Sequence, residues 1–205
     1  MVTDGIYYAL AFSAGGALLW YLIHPAFAVP LFVLALFCLY FFRDPDRTIP
    51  DGAVAVSPAD GKVVAVIGDG AECTRISIFL NIFDVHVNRA PIAGKITNIE
   101  YTKGRFLVAS REIASSQNER NTFTIAGATA GQPTCVRFAQ IAGLIARRIV
   151  CYKKAGDTVD KGERVGLIKF GSRVDIFLGP EWEIQVQPGQ RVAGGSSILA
   201  RRRSA

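Results

Sequence analysis

Only two histidines occur in the 205 residues, and only one of them suits a soluble active site. His24 lies within a long apolar stretch, whereas His86 lies in the polar part of SIFLNIFDVHVNRAP, between an apolar run and Pro91. Imidazole titrates near neutral pH, so His86 is the default general base. A histidine satisfied within a turn is the competing interpretation. Clustered His or Cys ligands at metal spacing are lacking, so we expect no metal site.

Two Gly-Ser steps between apolar runs are candidate nucleophile positions. They are Gly171-Ser172 in IKFGSRVDIF and Gly195-Ser196 in VAGGSSILA. Most such steps are ordinary turns. A glycine inside a strand pattern is less usual, because it weakens the strand unless the backbone must bend or be approached closely. Gly171 leaves the carbonyl before Ser172 open to approach and tolerates a strained backbone.

Asp60, in SPADGKV, is the candidate orienting carboxylate. Asp-Gly is common turn chemistry and needs no function. A base within reach of a serine, itself oriented by a carboxylate, is the alternative. In that alternative Asp60 orients His86.

The distribution of charged residues divides the chain into two parts. Of the 23 basic and 17 acidic residues, only Asp4 precedes Arg43, so residues 43–205 carry +7 and the lead is almost wholly apolar. This pattern predicts a membrane-anchoring segment, 1–43, followed by a basic catalytic domain, 44–205. The apolar content excludes disorder, and no later run is long enough to span a bilayer, which excludes a multi-span transporter.

His24-Pro25 divides the lead into two apolar runs, 6–23 and 26–42. Proline disfavours helix in the residue before it, so we predict a helical hairpin with both ends on one side. A single kinked helix and a shallow re-entrant pair are the alternatives. Arg43 and Arg47 follow directly and predict a cell-membrane protein whose catalytic part faces the cytoplasm.

The rest of the chain reads as mainly β. Short β-branched runs recur about every ten residues, which is typical of a barrel or sandwich. The segment 155–176 resembles the half-motif of lipoyl- and biotinyl-type barrels, and 188–200 and 50–67 have the same cadence of turn and strand. We therefore predict a barrel-sandwich domain. The stretch 106–118 is the least strand-like.

The four cysteines form no CxxC pair, so we expect buried, reduced thiols. They are Cys38, Cys73, Cys135 and Cys151.

Six motifs follow one another along the chain: FFRDPDR (41–47), SPADGKV (57–63), FDVHVNRAP (83–91), NERN (118–121), QIAGLIARRI (140–149) and KFGSRVD (169–175). In this order and spacing they resemble the phosphatidylserine decarboxylases of the short bacterial type. The resemblance extends from Tyr40 to about Ser197. Many members have Leu-Gly-Ser-Thr at the processing point, where this chain has Phe170-Gly171-Ser172-Arg173, and the short type uses Gly-Ser in this wider context.

The resemblance implies a self-processing, pyruvoyl-dependent enzyme. His86, oriented by Asp60, would take the proton of Ser172, whose hydroxyl would attack the Gly171 carbonyl and turn the amide into an ester. Elimination would give a β chain, 1–171, and an α chain, 172–205, that begins with a covalent pyruvoyl group derived from Ser172. Thirty-four residues are too few for a separate domain, so both chains would share one barrel as a heterodimer. A higher oligomer is left open.

The pyruvoyl group would explain why the sequence has no motif for a bound cofactor. Decarboxylation of an amino acid needs an electron sink, usually pyridoxal phosphate, and neither a GxGxxG nor a Walker-type loop occurs. The implied reaction converts phosphatidylserine to phosphatidylethanolamine at the membrane surface, with no nucleic-acid partner.

Candidate contacts for the lipid phosphate and carboxylate are basic residues on either side of the predicted site. They are Arg43, Arg47, Arg147, Arg148, Lys153 and Lys154, with the tail Arg201, Arg202 and Arg203 as a further attraction to anionic lipid. Phe106, Leu107 and Val108 could dip between acyl chains or belong to the core.

Two other functions remain open. One is a membrane-anchored lipoyl-like carrier or adaptor without catalysis, although Lys169 lies mid-strand rather than at a hairpin tip. The other is decarboxylation of an archaeal-type ether-lipid phosphoserine, which has the same head group.

Overall fold

The computed structural model describes residues 2–68, 73–144, 148–169 and 171–203. The chain divides into two compact units, one up to Asp46 and one from Arg47 onward.

The first unit is a pair of apolar helices, α1 (Thr3–Leu22) and α2 (Pro25–Phe41). His24 caps α2, because its Nδ1 accepts a hydrogen bond from the Ala26 amide at 3.2 Å. The Val2 amide donates to the Phe42 carbonyl at 3.0 Å, which joins the two outer ends. The helices therefore run antiparallel, as the hairpin prediction requires.

Large apolar side chains of both helices are exposed. By length and composition, α1 is long enough to cross a membrane, and α2, with 17 residues, is a shorter apolar helix. The exposed side chains include Leu10, Leu18, Tyr21, Val33 and Leu36.

The second unit is built almost entirely of strands, which confirms the mainly-β prediction. In the described part of the chain they are β1 (Val54–Val56), β2 (Gly61–Ile67), β3 (Thr74–Leu80), β4 (Val87–Arg89), β5 (Gly94–Thr102), β6 (Arg120–Thr129), β7 (Gln132–Ile141), β8 (Ile149–Cys151), β9 (Thr158–Val159), β10 (Arg164–Ile168), β11 (Ser172–Leu178), β12 (Trp182–Ile184), β13 (Arg191–Val192) and β14 (Ile198–Arg202). One short helix, α3 (Ala114–Gln117), lies in the stretch without strand character.

The largest sheet of the described residues is curled and has the order β13-β2-β3-β11-β7-β6-β5-β9. Two three-stranded sheets, β1-β14-β12 and β4-β10-β8, complete the unit. This arrangement is consistent with the predicted barrel-sandwich. The core includes a stacked pair, Phe123 and Phe138, with ring centroids 4.7 Å apart.

Strand β11 lies between two long strands, and this position fixes the predicted nucleophile. Ser172 pairs with Leu80 of β3, and Arg173 pairs with both Phe79 and Ile141. All of β11 except Phe177 is buried. The residues that follow the candidate cleavage point therefore form a central element of the sheet.

The four cysteines are unpaired, but the prediction that all are buried is wrong. Cys135 and Cys151 are exposed. Side chains alternate between the two faces of a strand, and the β7 pattern places Cys135 on the solvent face.

Candidate active site

His86 lies in the short connection between β3 and β4, and its ring is fully buried. Ring atom Nδ1 lies 2.9 Å from the Asp84 carbonyl oxygen. A carbonyl can only accept a hydrogen bond, so Nδ1 carries the proton and the neutral ring keeps its lone pair on Nε2. The local chain thus sets the tautomer that a general base needs.

The Nε2 atom of His86 faces the predicted cleavage point. The Gly171 amide donates a hydrogen bond to Nε2 at 3.2 Å, across 85 residues of sequence. The fold therefore brings His86 next to the Gly171-Ser172 step. This contact follows from the pairing of β4 with β10, in which Val87, next to His86, pairs with Leu167, and the Ile168 amide donates to the His86 carbonyl at 3.3 Å.

The Ser172 hydroxyl is fully buried and has no hydrogen-bond partner among the described residues. A buried polar group without a partner costs about 1–3 kcal/mol. Such a group in a native fold calls for an explanation, and a nucleophile held next to its target is one.

Gly171 has a left-handed backbone, with φ of 66°. Side-chain-bearing residues rarely adopt this region, so the position favours glycine. A Cβ built there would meet no atom within 4 Å, so the peptide borders open space. The scissile unit predicted from sequence is therefore conformationally unusual and accessible on one side.

Asp84 is a residue that the sequence analysis missed. Besides its carbonyl contact to His86, its carboxylate accepts a hydrogen bond from the Asn81 amide at 2.8 Å. It also forms an ion pair with Arg191 of β13. The position of Asp84 two residues before the histidine was the available signal, since Asp and Asn commonly close such turns with the backbone.

Asp60 has partners other than the one expected. The Arg47 guanidinium contacts both carboxylate oxygens, at 3.0 and 2.9 Å, and the Gly194 amide donates to Oδ1 at 2.7 Å. The Nδ1 atom of His86 is bonded by the Asp84 carbonyl of the same turn, and orientation of the ring by Asp60 stays a prediction. Asp60 instead joins the segment after the helical pair to the region before β14.

The second Gly-Ser step forms a tight turn. The Ser196 amide donates to the Ala193 carbonyl at 3.1 Å, and Ser197 Oγ accepts from the Ala193 amide at 2.9 Å. Gly195 has a φ of 80°, and its amide donates to the Ser57 carbonyl at 2.8 Å. These contacts give the step the ordinary structural explanation that most Gly-Ser pairs have.

Arg173, directly after Ser172, is a fully buried cation that the sequence analysis did not single out. Its Nε donates to Asp175 at 2.7 Å, and its guanidinium also contacts Ser77 at 2.5 Å and Glu112 at 3.1 Å. A buried charge needs such pairing to offset its desolvation. Arg173 and Asp175 lie two residues apart on one face of β11, which is the signal that could have indicated the pair.

The loop 105–119 lies beside the site and is held closed at its base. The Arg105 amide donates to the Gln117 carbonyl at 2.8 Å, and the Glu119 amide donates to the Arg105 carbonyl at 3.0 Å. The Arg173 guanidinium reaches the Arg111 carbonyl at 3.3 Å. The first residue after Ser172 thereby ties this loop to the sheet.

A largely apolar pocket of about 320 Å³ opens at Gly171. Its rim exposes several apolar side chains, including Val108, which is 41% exposed, and Leu144, which is 55% exposed. The lining residues are Phe79, Asn81, Ile82, Val108, Ala109, Leu144 and Gly171. Of the predicted apolar contacts, Val108 lines this pocket, whereas Phe106 and Leu107 are half-buried.

The predicted basic contacts lie in different settings. Arg43 stacks on the Tyr40 ring at 3.9 Å, and Arg47 is paired with Asp60. Arg148 is exposed, and Arg147 lies outside the described residues. The structure thus leaves Arg148 as an exposed cation, while Arg47 is already neutralised by a carboxylate.

Comparisons with known proteins agree on one family. The family model described as Phosphatidylserine decarboxylase matches residues 34–200. A phosphatidylserine decarboxylase proenzyme of Solibacter usitatus is 64% identical over 202 residues, which cover 98% of this chain and 97% of that protein. Proenzymes of the same name are 45% identical in Cupriavidus pinatubonensis, with 92% and 91% covered, and 49% identical in Nitratidesulfovibrio vulgaris, with 85% and 82% covered.

Glu112 connects the loop 105–119 to two arginines. Partial burial raises the pKa of its carboxyl, but hydrogen bonds and charge attraction from Arg173 and Arg75 outweigh burial and lower the pKa below the usual 4.5. A lowered pKa in the folded state means that the ion pairs stabilise the fold above the unfolded value. That stabilisation is lost as the pH falls through the folded value, below 4.5.

We predict that Glu112→Gln lowers the free energy of unfolding at pH 7 by up to about 1 kcal/mol, a small effect because the carboxylate is half-exposed. The difference from the parent should disappear as the pH falls below 4.5. Urea unfolding of both proteins between pH 3 and 7 measures this. Glu183→Gln, an exposed position on β12, is the control and should show no such dependence. A Glu112→Gln deficit that persists unchanged at pH 3 would contradict the assignment.

Proposed function

This chain belongs to the phosphatidylserine decarboxylase family, and we propose that it makes its catalytic group by cutting itself between Gly171 and Ser172. It is a carboxy-lyase whose substrate is phosphatidylserine, and loss of CO₂ from the serine head group gives phosphatidylethanolamine. The word proenzyme in the relatives' names supports synthesis as a precursor. The observation that carries the proposal is the buried, unpartnered Ser172 hydroxyl next to the peptide unit that His86 contacts.

Self-cleavage begins with His86. Its Nε2 lone pair takes the Ser172 hydroxyl proton once the ring exchanges the Gly171 amide for that hydroxyl. The oxygen then bonds to the Gly171 carbonyl carbon, the carbon–nitrogen bond breaks, and the proton passes from His86 to the Ser172 nitrogen. Because Nδ1 is held by the Asp84 carbonyl, the ring returns to the same tautomer after each transfer.

The resulting ester breaks by elimination. A base removes the Ser172 Cα proton, Gly171 leaves as a carboxylate, and Ser172 becomes dehydroalanine. Tautomerisation and addition of water release ammonia and leave a pyruvoyl group at residue 172. That group supplies the electron sink for decarboxylation. The buried Ser172 hydroxyl fits the precursor of such a group, because no other described residue forms a hydrogen bond with it.

Asp60 has an indirect part in this proposal. Its carboxylate holds Arg47 on one side and the Gly194 amide on the other, and Gly194 belongs to the proposed α chain. We infer that this link keeps the α chain aligned around His86 after the cut, rather than orienting the ring through Nδ1.

The membrane is the proposed location of the reaction. Both helices expose apolar side chains, and α1 is long and apolar enough to cross a bilayer. Arg43 and Arg47 after them favour the cytoplasmic side. The apolar pocket at Gly171 suits the part of a diacyl lipid next to the head group. Arg148, which is exposed and follows Leu144 by four residues in the sequence, suits the lipid phosphate or carboxylate.

We predict that intact-mass measurement of the purified protein gives two chains, the smaller beginning at residue 172 with a pyruvoyl group. Ser172→Ala should remain one full-length chain without decarboxylase activity, because the nucleophile is absent. Ser196→Ala is the matched control for the second Gly-Ser step and should process normally. A full-length, uncut wild-type chain that still releases CO₂ from the lipid would contradict the proposal.

We also predict that the α chain stays bound after the cut. Strand β11 lies between β3 and β7, and β13 and β14 pair with β2 and β1, so the fragment keeps its ladders on both sides. Both chains should elute together from a native size-exclusion column and separate only in denaturant. Loss of the small chain during native purification would overturn this.

A third prediction concerns the pocket rim. Leu144→Asp should lower decarboxylation of phosphatidylserine in bilayer vesicles roughly tenfold. The exposed Leu144 side chain would be buried among the acyl chains of the lipid, and full burial of a leucine contributes about 1.5–3 kcal/mol. Activity on short-chain, water-soluble phosphatidylserine should change much less. Cys135→Asp, exposed at the other end of β7, is the control for added charge. Equal losses on both substrates would argue against lipid contact at this rim.

A further inference from the structure

Gly143, within QIAGLIARRI, lies directly against the scissile carbonyl. A Cβ built at Gly143 would be 2.1 Å from the Gly171 carbonyl oxygen and 3.2 Å from its carbonyl carbon. The first distance is far inside van der Waals contact, which for such atoms begins near 3.5 Å. The backbone of Gly143 is not in the left-handed region, so conformational freedom does not explain glycine here. Glycine is explained here by the space that the Gly171 carbonyl oxygen occupies.

Asn118 holds in place the backbone of residues 142 and 143, which we call the Gly143 wall. The Asn118 side-chain amide donates to the Ala142 and Leu107 carbonyls, each at 2.8 Å, and its oxygen accepts from the Leu107 amide at 3.0 Å. Asn118 is fully buried, so these bonds are not exchanged with water. On the same side, the Ala109 methyl would lie 3.3 Å from an added Cβ. The wall therefore has little freedom to move away from the carbonyl.

The opposite side of the peptide is open. Gly171 borders the apolar pocket, and no atom lies within 4 Å of its own Cβ position. A side chain at residue 143 would therefore push the Gly171 carbonyl towards the pocket rather than unfold the sheet. The expected result is a folded protein whose reacting carbon is misplaced relative to Ser172.

We infer that Gly143 is a positioning residue for self-cleavage and that Asn118 fixes it in place. This inference rests on the cut between Gly171 and Ser172 proposed above. In the first step the Ser172 oxygen bonds to the carbonyl carbon, and the carbonyl oxygen takes the negative charge as the carbon becomes tetrahedral. The carbon–nitrogen bond then breaks, and the proton from the hydroxyl reaches the Ser172 nitrogen through His86. The missing side chain at residue 143 leaves the oxygen the room that this step needs.

The test is the rate of self-cleavage in Gly143→Ala, followed from newly synthesised precursor by denaturing electrophoresis and intact mass. A displacement of about 1 Å can slow a positioned reaction about 100-fold, and we expect a loss of that order. Gly127→Ala is the matched control, because a Cβ there would lie 2.2 Å from the Ala93 carbonyl oxygen, an equal clash away from the cut. It should process at nearly the wild-type rate, and thermal unfolding should show that Gly143→Ala is folded.

Hydroxylamine separates the steps, because at neutral pH it cleaves an ester but not a peptide bond. We expect the uncut Gly143→Ala precursor to yield no fragments with hydroxylamine, since the ester does not form. Fragments ending at Gly171 would show that the ester forms normally and that only elimination is slow, which would overturn the inference.

Asn118→Asp provides a second variant that adds no atom near the carbonyl. It keeps the acceptor for the Leu107 amide and loses both donated bonds, so cleavage should slow about tenfold. Cleavage of Asn118→Asp at the wild-type rate, or of Gly143→Ala at the rate of Gly127→Ala, would overturn the inference while leaving the proposed function intact. A wild-type chain that is uncut, or cut elsewhere than 171/172, would overturn both.

Discussion

The hydrogen bond from the Gly171 amide to His86 is the contact on which the site depends. It joins the only histidine of the barrel unit to the only Gly-Ser step that starts a central strand. The ring can accept this bond because its other nitrogen is fixed by a carbonyl two residues away. The Asp84 contact and the Gly171 contact thus place a neutral imidazole against a glycine with a left-handed backbone. The burial of the Ser172 hydroxyl follows from the register of β11 on β3.

That register also explains how a chain could be cut in its own core without falling apart. Strand β11 is hydrogen-bonded on both edges, so the peptide bond before it carries little of the stability. Arg173 adds a buried set of charged contacts at the first position after Ser172. Further along, Arg191 pairs with Asp84 and the Gly194 amide donates to Asp60, so side-chain contacts join residues from both sides of the proposed cut.

The sequence predicted the parts of this arrangement that depend on residue rarity and on local pattern. His86 stood out because it has no competitor, and the long strands stood out by their β-branched runs. The shortest strands, β4, β9 and β13, have only two or three residues each, too few for a periodic pattern to define them. The Arg47 and Gly194 partners of Asp60 were not predicted, because the groups that contact a carboxylate are decided by tertiary neighbours far away in sequence. Arg173 was overlooked for the same reason, since its burial depends on acids contributed by β11 and by the loop 105–119.

The loop 105–119 both holds the backbone beside the Gly171 carbonyl and forms part of the pocket rim, and each role limits the other. At its end, Asn118 fixes the backbone that contacts the Gly171 carbonyl, and near its beginning Val108 forms part of the apolar rim. A loop that opened widely to admit a lipid would release the Gly143 wall, because the Leu107 bonds and the Ala142 bond share one side chain. In the proposed self-cleavage the precursor uses this wall, whereas the processed enzyme would no longer need it. The geometry therefore favours a loop that stays closed at its base through Arg105 and Gln117, and adapts to lipid only through the exposed side chains at its rim.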